Sequence, residues 1–396
     1  MICFDLYQHF NVNRLLLLAI GLWPYQQTKL ARVQIILISS ILISFIVLQL
    51  ATFLTAECTV DLVINILSIT FLFMIHLIKY NAFILKIKNV KYLIDQLEQI
   101  CSELKNEKEI AIVENYAIVV KRYTIVILLL SIFYLVSINL LPMWPRMLGI
   151  FLLINDTRPR RMLLIMNEYF LDQEKYFYFI LLHTNATLFA GTLIVLATGT
   201  MFVGYFKHIC GIFRVASYRI EQAMDINVLK NINPKNEIMI CKKIICAVDL
   251  HRQAMRSSKV ALSMFEGMFF LLLLFGVSCL SLNLFRVFQI VTFEDNIEEF
   301  MLRIAFVITI LMYIFLMNYI AQEVTDHNEH VFEATYNIRW YIAPLHIQKM
   351  ILFLLQKGTK AFTLNLGGLF VASLESASML ASASVSYFTI LYSTRQ

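Results

Sequence analysis

Residues Val33–Ala56 read VQIILISSILISFIVLQLATFLTA, without a single charged side chain. As an α-helix this run would be about 36 Å long, enough to cross the roughly 30 Å hydrocarbon core of a bilayer. Each Leu, Ile, Val or Phe favours that core by roughly 0.3–0.6 kcal/mol, which outweighs the scattered serines and threonines. Six further runs of the same kind follow: Leu62–Ile78, Tyr123–Met143, Tyr176–Phe206, Val260–Phe285, Ile304–Gln322 and Leu364–Tyr392. The second extends past Lys79, whose ammonium is expected to snorkel to the interface. The fourth is long enough that it must tilt or project, and the fifth is interrupted by Glu266. Over the whole chain 59% of residues are hydrophobic and 15% charged, with a mean hydropathy of +0.72; a soluble domain carries about 25% charged residues. The fold class is therefore an all-α membrane protein with seven transmembrane helices. The seven cysteines form no CxxC pair and no Cys–His metal spacing, and read as free thiols. Nothing resembling a cleavage site follows the apolar stretch Leu15–Trp23, so the first span is expected to direct insertion itself.

Lysine and arginine set the orientation, because cytosolic loops hold an excess of them. With the N-terminus inside, 25 of the 33 fall on the inner side and 8 on the outer. The N-terminus is thus expected in the cytosol and the C-terminus outside. A G-protein-coupled receptor has the opposite orientation, and no NPxxY stands in the seventh span; the Asn233-Pro234 pair lies in a basic loop. The net charge of +6 follows from topology and calls for no nucleic acid. Asn155-Asp156-Thr157 is a sequon in the outer loop after span 3, so Asn155 is expected to be glycosylated. Asn185-Ala186-Thr187 fits the same pattern but lies inside span 4.

The inner loops carry helical patterns of their own. Leu93, Leu97, Ile100 and Leu104 fall on one face of a cytosolic extension between spans 2 and 3. A calmodulin-type target is the alternative there, and the acidic residues argue against it. His251 has no metal-ligand partner one turn away and reads as structural. After span 6, Pro344 can start a helix whose apolar face holds Leu345, Met350, Ile351, Leu354 and Leu355, suited to packing on another subunit or on the inner ends of other spans. The chain divides into a cytosolic N-terminal segment (1–32), spans 1–6 (33–322), cytosolic helices (323–363), and span 7 with a short extracellular tail (364–396).

Enzyme chemistry is not legible. There is no Gly-rich phosphate loop, HExxH or GxSxG in a credible context, no nucleophile–base pair and no metal set, and no cofactor is expected. Intramembrane ionisable groups are His76, His183, Glu266 and Glu375. A transporter would show a repeated half, and none is found. A receptor or a channel remains.

Four segments carry a family resemblance. FNVNRLLLLAIGLWP (Phe10–Pro24) resembles a re-entrant N-terminal segment, and AVDLHRQAMRSS (Ala247–Ser258) the helix entering span 5. ATYNIRWYIAPLHIQKMILFLLQ (Ala334–Gln356) resembles a cytosolic helix before span 7, and TLNLGGLFVASLESASMLASASVSYFTIL (Thr363–Leu391) a C-terminal pore segment. Together they resemble the insect odorant receptors of the tuning-subunit type. The resemblance implies an odorant-gated, non-selective cation channel that assembles with a shared co-receptor as a heterotetramer. It implies a plasma-membrane location in olfactory neuron dendrites, with monovalent and divalent cations in the pore. A gustatory-type homotetrameric channel is the alternative. The gustatory receptors and the co-receptor show Thr-Tyr and then Gln near the end of span 7, where this chain has Ser386, Tyr387 and Ser393; many tuning receptors have a Lys where this chain has Ser382.

The same resemblance implies an odorant pocket in the outer half of spans 2, 3, 4 and 6. Candidates there are Phe71, Tyr134, Ser137, Tyr178, His183, Phe306 and Tyr313, although aromatics in spans also serve ordinary packing. In span 7 the hydroxyls fall into two groups at 100° per residue. Ser378, Ser382, Ser386, Thr389 and Ser393 form one stripe, read as pore-lining; Ser373, Ser376 and Ser384 lie on the other side, read as helix packing. All of them could instead pack helices. Ile390 beside the first stripe matches the family's hydrophobic gate, by resemblance.

Overall fold

The structure is a computed structural model that describes residues 11–26, 28–140, 175–224, 234–294, 296–368 and 370–393. The described chain is helical apart from one two-residue-strand hairpin. Helix α1 (Asn11–Ala19) is followed by α2 (Lys29–Thr55), α3 (Val60–Leu85), α4 (Ile87–Ser102), α5 (Glu107–Leu140) and α6 (Phe177–Ala223). Then come α7 (Pro234–Met264), α8 (Glu266–Gln289), α9 (Ile297–Asn337), α10 (Leu345–Gly358), strands β1 (Asn365–Leu366) and β2 (Phe370–Val371), and α11 (Leu374–Ser393). Among the described residues, six helices are long and apolar enough to cross a membrane: α2, α3, α5, α6, α8 and α9. The expected seventh span is the 20-residue α11, whose serines lower its hydropathy.

Helix α6 is the axis of the molecule. It touches α1, α2, α3, α5, α7 and α9, and Met201–Phe213 is buried on every side. A helix that is apolar all round belongs in a core, and its polar groups are matched internally: Thr198 and Thr200 donate to Ile194 O and Leu196 O at 2.7 Å. At 47 and 41 residues, α6 and α9 would be about 70 and 60 Å long, so both project far beyond a bilayer. Their extensions are tied by charge. Lys207 Nζ donates to Glu323 at 2.7 Å, Arg219 grips Glu109 through two bonds of 2.8 Å, and Tyr116 OH meets His327 Nε2 at 2.7 Å.

The amphipathic segment expected after span 2 is α4. Leu93, Leu97 and Ile100 are buried, as is Leu104 beyond its end. Cys101 on the same face has its thiol pushed up to about 12 by burial, with Glu98 adding to the effect. A second, smaller core joins the end of α6 to α7 and α10 through Ala223, Met224, Ile240, Ile244, Ile347 and Ile351. Leu345 and Phe353 of α10 stay exposed. The described cysteines are all free thiols.

Three boundaries differ from the sequence expectation. Glu266 does not interrupt a span: the chain breaks at Phe265, and Glu266 opens α8, where a carboxylate complements the helix dipole. The segment boundary drawn at 322 falls inside the continuous α9. Span 7 begins later than Leu364, because Leu364–Ser373 forms a hairpin first, with Asn365 opposite Val371 and Leu366 opposite Phe370. Gly367 and Gly368 make the turn at φ +58° and +71°, a region that only glycine enters freely. Ser373 then caps α11, its Oγ accepting from the Ser376 N–H at 3.2 Å.

Candidate functional site

Helices α3, α8 and α9 enclose a cavity of about 120 Å³, closed at one side by the hairpin and the start of α11. Its wall is apolar: Leu72 and Ile75 of α3, Leu272 and Gly276 of α8, Ile310 and Met317 of α9. Leu366, Phe370, Ala372 and Leu380 complete it from the hairpin and α11. An apolar cavity of about 150 Å³ holds benzene, so this smaller one takes no more than a single small ring or a short chain.

Five wall residues are polar: His76, Lys79, Thr309, Tyr313 and Asn318. Thr309 donates to Ala305 O at 2.7 Å. Asn318 donates to Ile314 O at 2.9 Å and accepts from the Ser373 N–H at 3.2 Å, which fixes the start of α11 against α9. The other pair is different. Lys79 is 2% exposed, and its Nζ makes no hydrogen bond to a described residue. The ammonium sits 3.8 Å from the centre of the Tyr313 ring, a cation–π contact. His76, one turn earlier on the same face, also leaves Nδ1 without a hydrogen bond among the described residues. Gly191 of α6 makes room for that imidazole, since a Cβ there would lie 2.6 Å from His76 Nδ1. Lys79 therefore does not snorkel as expected. Helix α3 runs on to Leu85, which keeps Lys79 on the inward face between Ile75 and Phe83, and Tyr313 gives the charge a partner there.

A second polar cluster lies where α3, α8 and α9 meet near Asp61 and Glu299. Arg303 is fully buried, donating to Ser68 Oγ at 2.7 Å and to Asn283 Oδ1 at 3.3 Å, and bonding Asn65 as well. Glu299 lies 3.4 Å from Arg303 and takes bonds of 2.9–3.1 Å from Arg286, while Gln289 donates to Asp61 at 2.6 Å.

Helix α11 has two unlike faces. Ser376 and Ser384 are buried, and Phe388 and Tyr392 pack on Phe288 of α8 at ring distances of 5.8 and 4.9 Å. Ser378, Ser382, Ser386, Thr389 and Ser393 are exposed, and so is Ile390. The exposed residues of the outer half of α5 are instead Leu129, Leu130, Ile132, Phe133 and Val136, the composition of a lipid-facing helix. The exposed hydroxyls of α11 bond their own backbone: Ser386 donates to Ser382 O at 3.0 Å, Thr389 to Ser386 O at 2.7 Å and Ser393 to Ile390 O at 3.0 Å.

Of the seven residues expected in a ligand pocket, Tyr313 lines the cavity. Phe306 is buried in the core, and Phe71 meets Phe275 edge-on at 5.3 Å. Tyr134 and Ser137 are half-buried on α5. His183 Nε2 lies 3.0 Å from Ser44 Oγ, and Tyr178 is exposed. The structure does not gather these six around the cavity. Asn155 lies outside the described residues. Reading residues one at a time missed Lys79. The available signal was its spacing from His76, which places two ionisable groups on one inward face of one span.

A family model described as 7tm Odorant receptor matches residues 59–385. The structure is similar to that of the insect olfactory receptor OR5 from Machilis hrabei in complex with eugenol, with a TM-score of 0.74 and 16% identity over 98% of each chain. A second structure of that receptor matches with a TM-score of 0.69 and 16% identity, over 98% of this chain and 99% of the other. No curated protein matches the chain.

Proposed function

The chain belongs to the insect odorant receptor family, a family of ligand-gated channels rather than enzymes, and from that membership we propose that it is an odorant-tuning subunit that opens a cation pore with a co-receptor. The observation that carries the reading is the sidedness of α11: one face packs on α8 and α9, and the other leaves Ser382, Ser386, Thr389 and Ser393 exposed. A row of hydroxyls hydrates passing cations without holding them tightly, which suits a weakly selective pore. Ile390 beside them is the hydrophobic gate, closing by dewetting. The odorant occupies the cavity at Tyr313, whose wall includes Leu380 of the same helix. Eugenol in the similar receptor structure supports a small, mostly apolar ligand. The subunit works in the plasma membrane of olfactory neurons, and exposed Leu345 and Phe353 of α10 join it to its neighbours in the tetramer.

The test is current recorded from cells expressing the chain with and without the co-receptor, against an odorant panel. Currents are expected only with both; robust currents from this chain alone would favour the gustatory-type homotetramer. In the assembled channel, cysteines at Ser386, Thr389, Ile390 and Ser393 should react with charged thiol reagents from outside and block current, and Ile390→Ser should raise basal current. If all four cysteines stay unmodified in the open state, the stripe does not face the pore.

A further inference from the structure

We propose that the cavity selects a compact carboxylic acid, held as the carboxylate on Lys79. The proposal rests on the reading of this cavity as the odorant site, and it names the chemical class that the site takes.

The argument begins with charge. A buried ammonium is costly unless it is paired and hydrogen-bonded. Among the described residues no carboxylate lines this cavity, and Lys79 makes no hydrogen bond. The Tyr313 ring, 3.8 Å away, covers one side of the cation. An ammonium has three N–H donors, and a π face accepts poorly compared with a carboxylate. Thr309 and Asn318 are neutral and tied to backbone partners, so neither supplies Lys79 with a counter-charge. The Lys79 ammonium is therefore without a counter-charge among the described wall residues. An oxygen anion satisfies that arrangement, and an amine opposes it. The remaining wall is aliphatic and aromatic, and the cavity volume of about 120 Å³ limits the apolar part to about one ring. An ionisable residue within a span is a functional candidate by default, and this one lines a space of ligand size. Phe370, Ala372 and Leu380 form part of the same wall, so an occupant would press directly on the entry to α11.

The test uses the purified full chain in lipid nanodiscs, with binding read by competition and by thermal shift. The probes are benzoic acid, benzaldehyde, benzylamine and toluene, which share one ring and differ in the polar group. Benzoic acid should bind more tightly than toluene by roughly tenfold or more, as expected for a charge-assisted hydrogen bond, and benzylamine should not bind. Lys79→Met should lower benzoic acid affinity roughly tenfold and leave toluene unchanged. Gly276→Leu should remove binding of both without touching Lys79, because a Cβ at Gly276 meets nothing within 4 Å and the added side chain fills the cavity. If Lys79→Met does not reach a folded state, the ranking of probes on the unmodified chain and the Gly276→Leu result still decide. Equal affinity for benzoic acid and toluene, failure of all four probes to bind, or an undiminished preference in Lys79→Met overturns the proposal. Oleic acid carries the same headgroup on a lipid-length chain and should not compete; displacement of benzoic acid as effective as by unlabelled benzoic acid overturns the compact-ligand assignment. Binding is measured without current. A chain that binds benzoic acid yet passes no odorant current with the co-receptor fails the channel reading and leaves this one standing; odorant currents with no acid preference do the reverse.

Discussion

Arg303 and Glu299 show how single residues hold the membrane-embedded bundle. Three elements converge on Arg303, through Ser68 and Asn65 of α3, Asn283 of α8 and Glu299 of its own helix. Glu299 also neutralises the buried Arg286. Glu299→Gln leaves both guanidiniums without that counter-charge and should cost about 3–5 kcal/mol, the range for breaking a buried pair from one side. Arg303→Met removes a charge together with its need for a partner, and the Arg286–Glu299 pair survives, so its cost should be smaller. Thermal melts of the detergent-solubilised variants check the ranking; equal losses would place the charge compensation elsewhere. His251 makes a different prediction. Its Nε2 lies 2.8 Å from Asn328 Oδ1 and its ring meets Phe332 edge-on at 5.2 Å. Burial holds its pKa below the ordinary imidazole value, with the Asn328 hydrogen bond opposing the shift. The folded state thus favours the neutral ring, and the unfolded chain binds the proton more readily. The stability contributed by His251 is complete above the unfolded pKa of about 6.5 and is lost as pH falls below it. His251→Gln keeps a donor for Asn328 and removes the titration, so its melting temperature should fall less than that of the unmodified chain between pH 7 and pH 5. Parallel curves would exclude His251 as the titrating group.

At the level of elements, the hairpin that precedes α11 sets where that helix starts. Its turn depends on two glycines at positive φ, and Gly367 is also crowded: a Cβ there would lie 2.6 Å from Glu266 Oε1 at the start of α8. Gly367→Ala therefore meets both backbone strain and a collision, and should destabilise by about 1–3 kcal/mol. Adding Glu266→Ala relieves the collision and leaves the strain, so the double variant should recover part of the loss. Melting temperatures of the two single variants and the double variant test this; strict additivity would show that the glycine and the glutamate act independently. The same contact explains why span 5 starts at Glu266. The carboxylate is used at a helix N-terminus and against the hairpin, not in mid-membrane. Helix α4 was legible in part, since Leu93, Leu97 and Ile100 repeat at helical spacing and are buried, while Val90, Ile94 and Cys101 widen the buried face beyond that set. The hairpin was not, because two-residue strands carry no periodicity and its glycines were read within a continuous apolar run.

For the whole molecule, topology is the property that the charge pattern argues and the bundle geometry accommodates. The extensions of α6 and α9 hold the Lys207–Glu323 pair, the Arg219–Glu109 pair and the Tyr116–His327 contact, and the charge count puts that end of the bundle in the cytosol. The cluster around Asp61, Glu299 and Arg303 then lies at the outer ends of α3, α8 and α9, with the Lys79 cavity deeper between them. If the orientation is right, Asn155 is extracellular and should carry a glycan. Digestion with an N-glycosidase should then raise the mobility of the protein from surface membranes, and Asn155→Gln should abolish the shift. An N-terminal tag that antibodies reach on intact cells would overturn the orientation and this expectation together.

Sequence alone determined the helical spans and the two kinds of hydroxyl on the last one, and its charge pattern argues their direction. These are properties of a helix meeting a solvent: length against bilayer thickness, charge against the membrane faces, and angular spacing around one axis. The family, too, could be read from short segments spread over the chain. Tertiary structure decided what depends on neighbours distant in sequence. Tyr313 lies on α9, far along the chain from Lys79 on α3, yet it is Tyr313 that turns the lysine inward instead of letting it snorkel. Hydropathy scores Lys79 by its transfer cost to lipid and cannot see an aromatic face waiting across a cavity. The cavity, the Arg303 cluster and the hairpin's seat on Glu266 were hidden for the same reason, because each is a contact between elements and no single element encodes it.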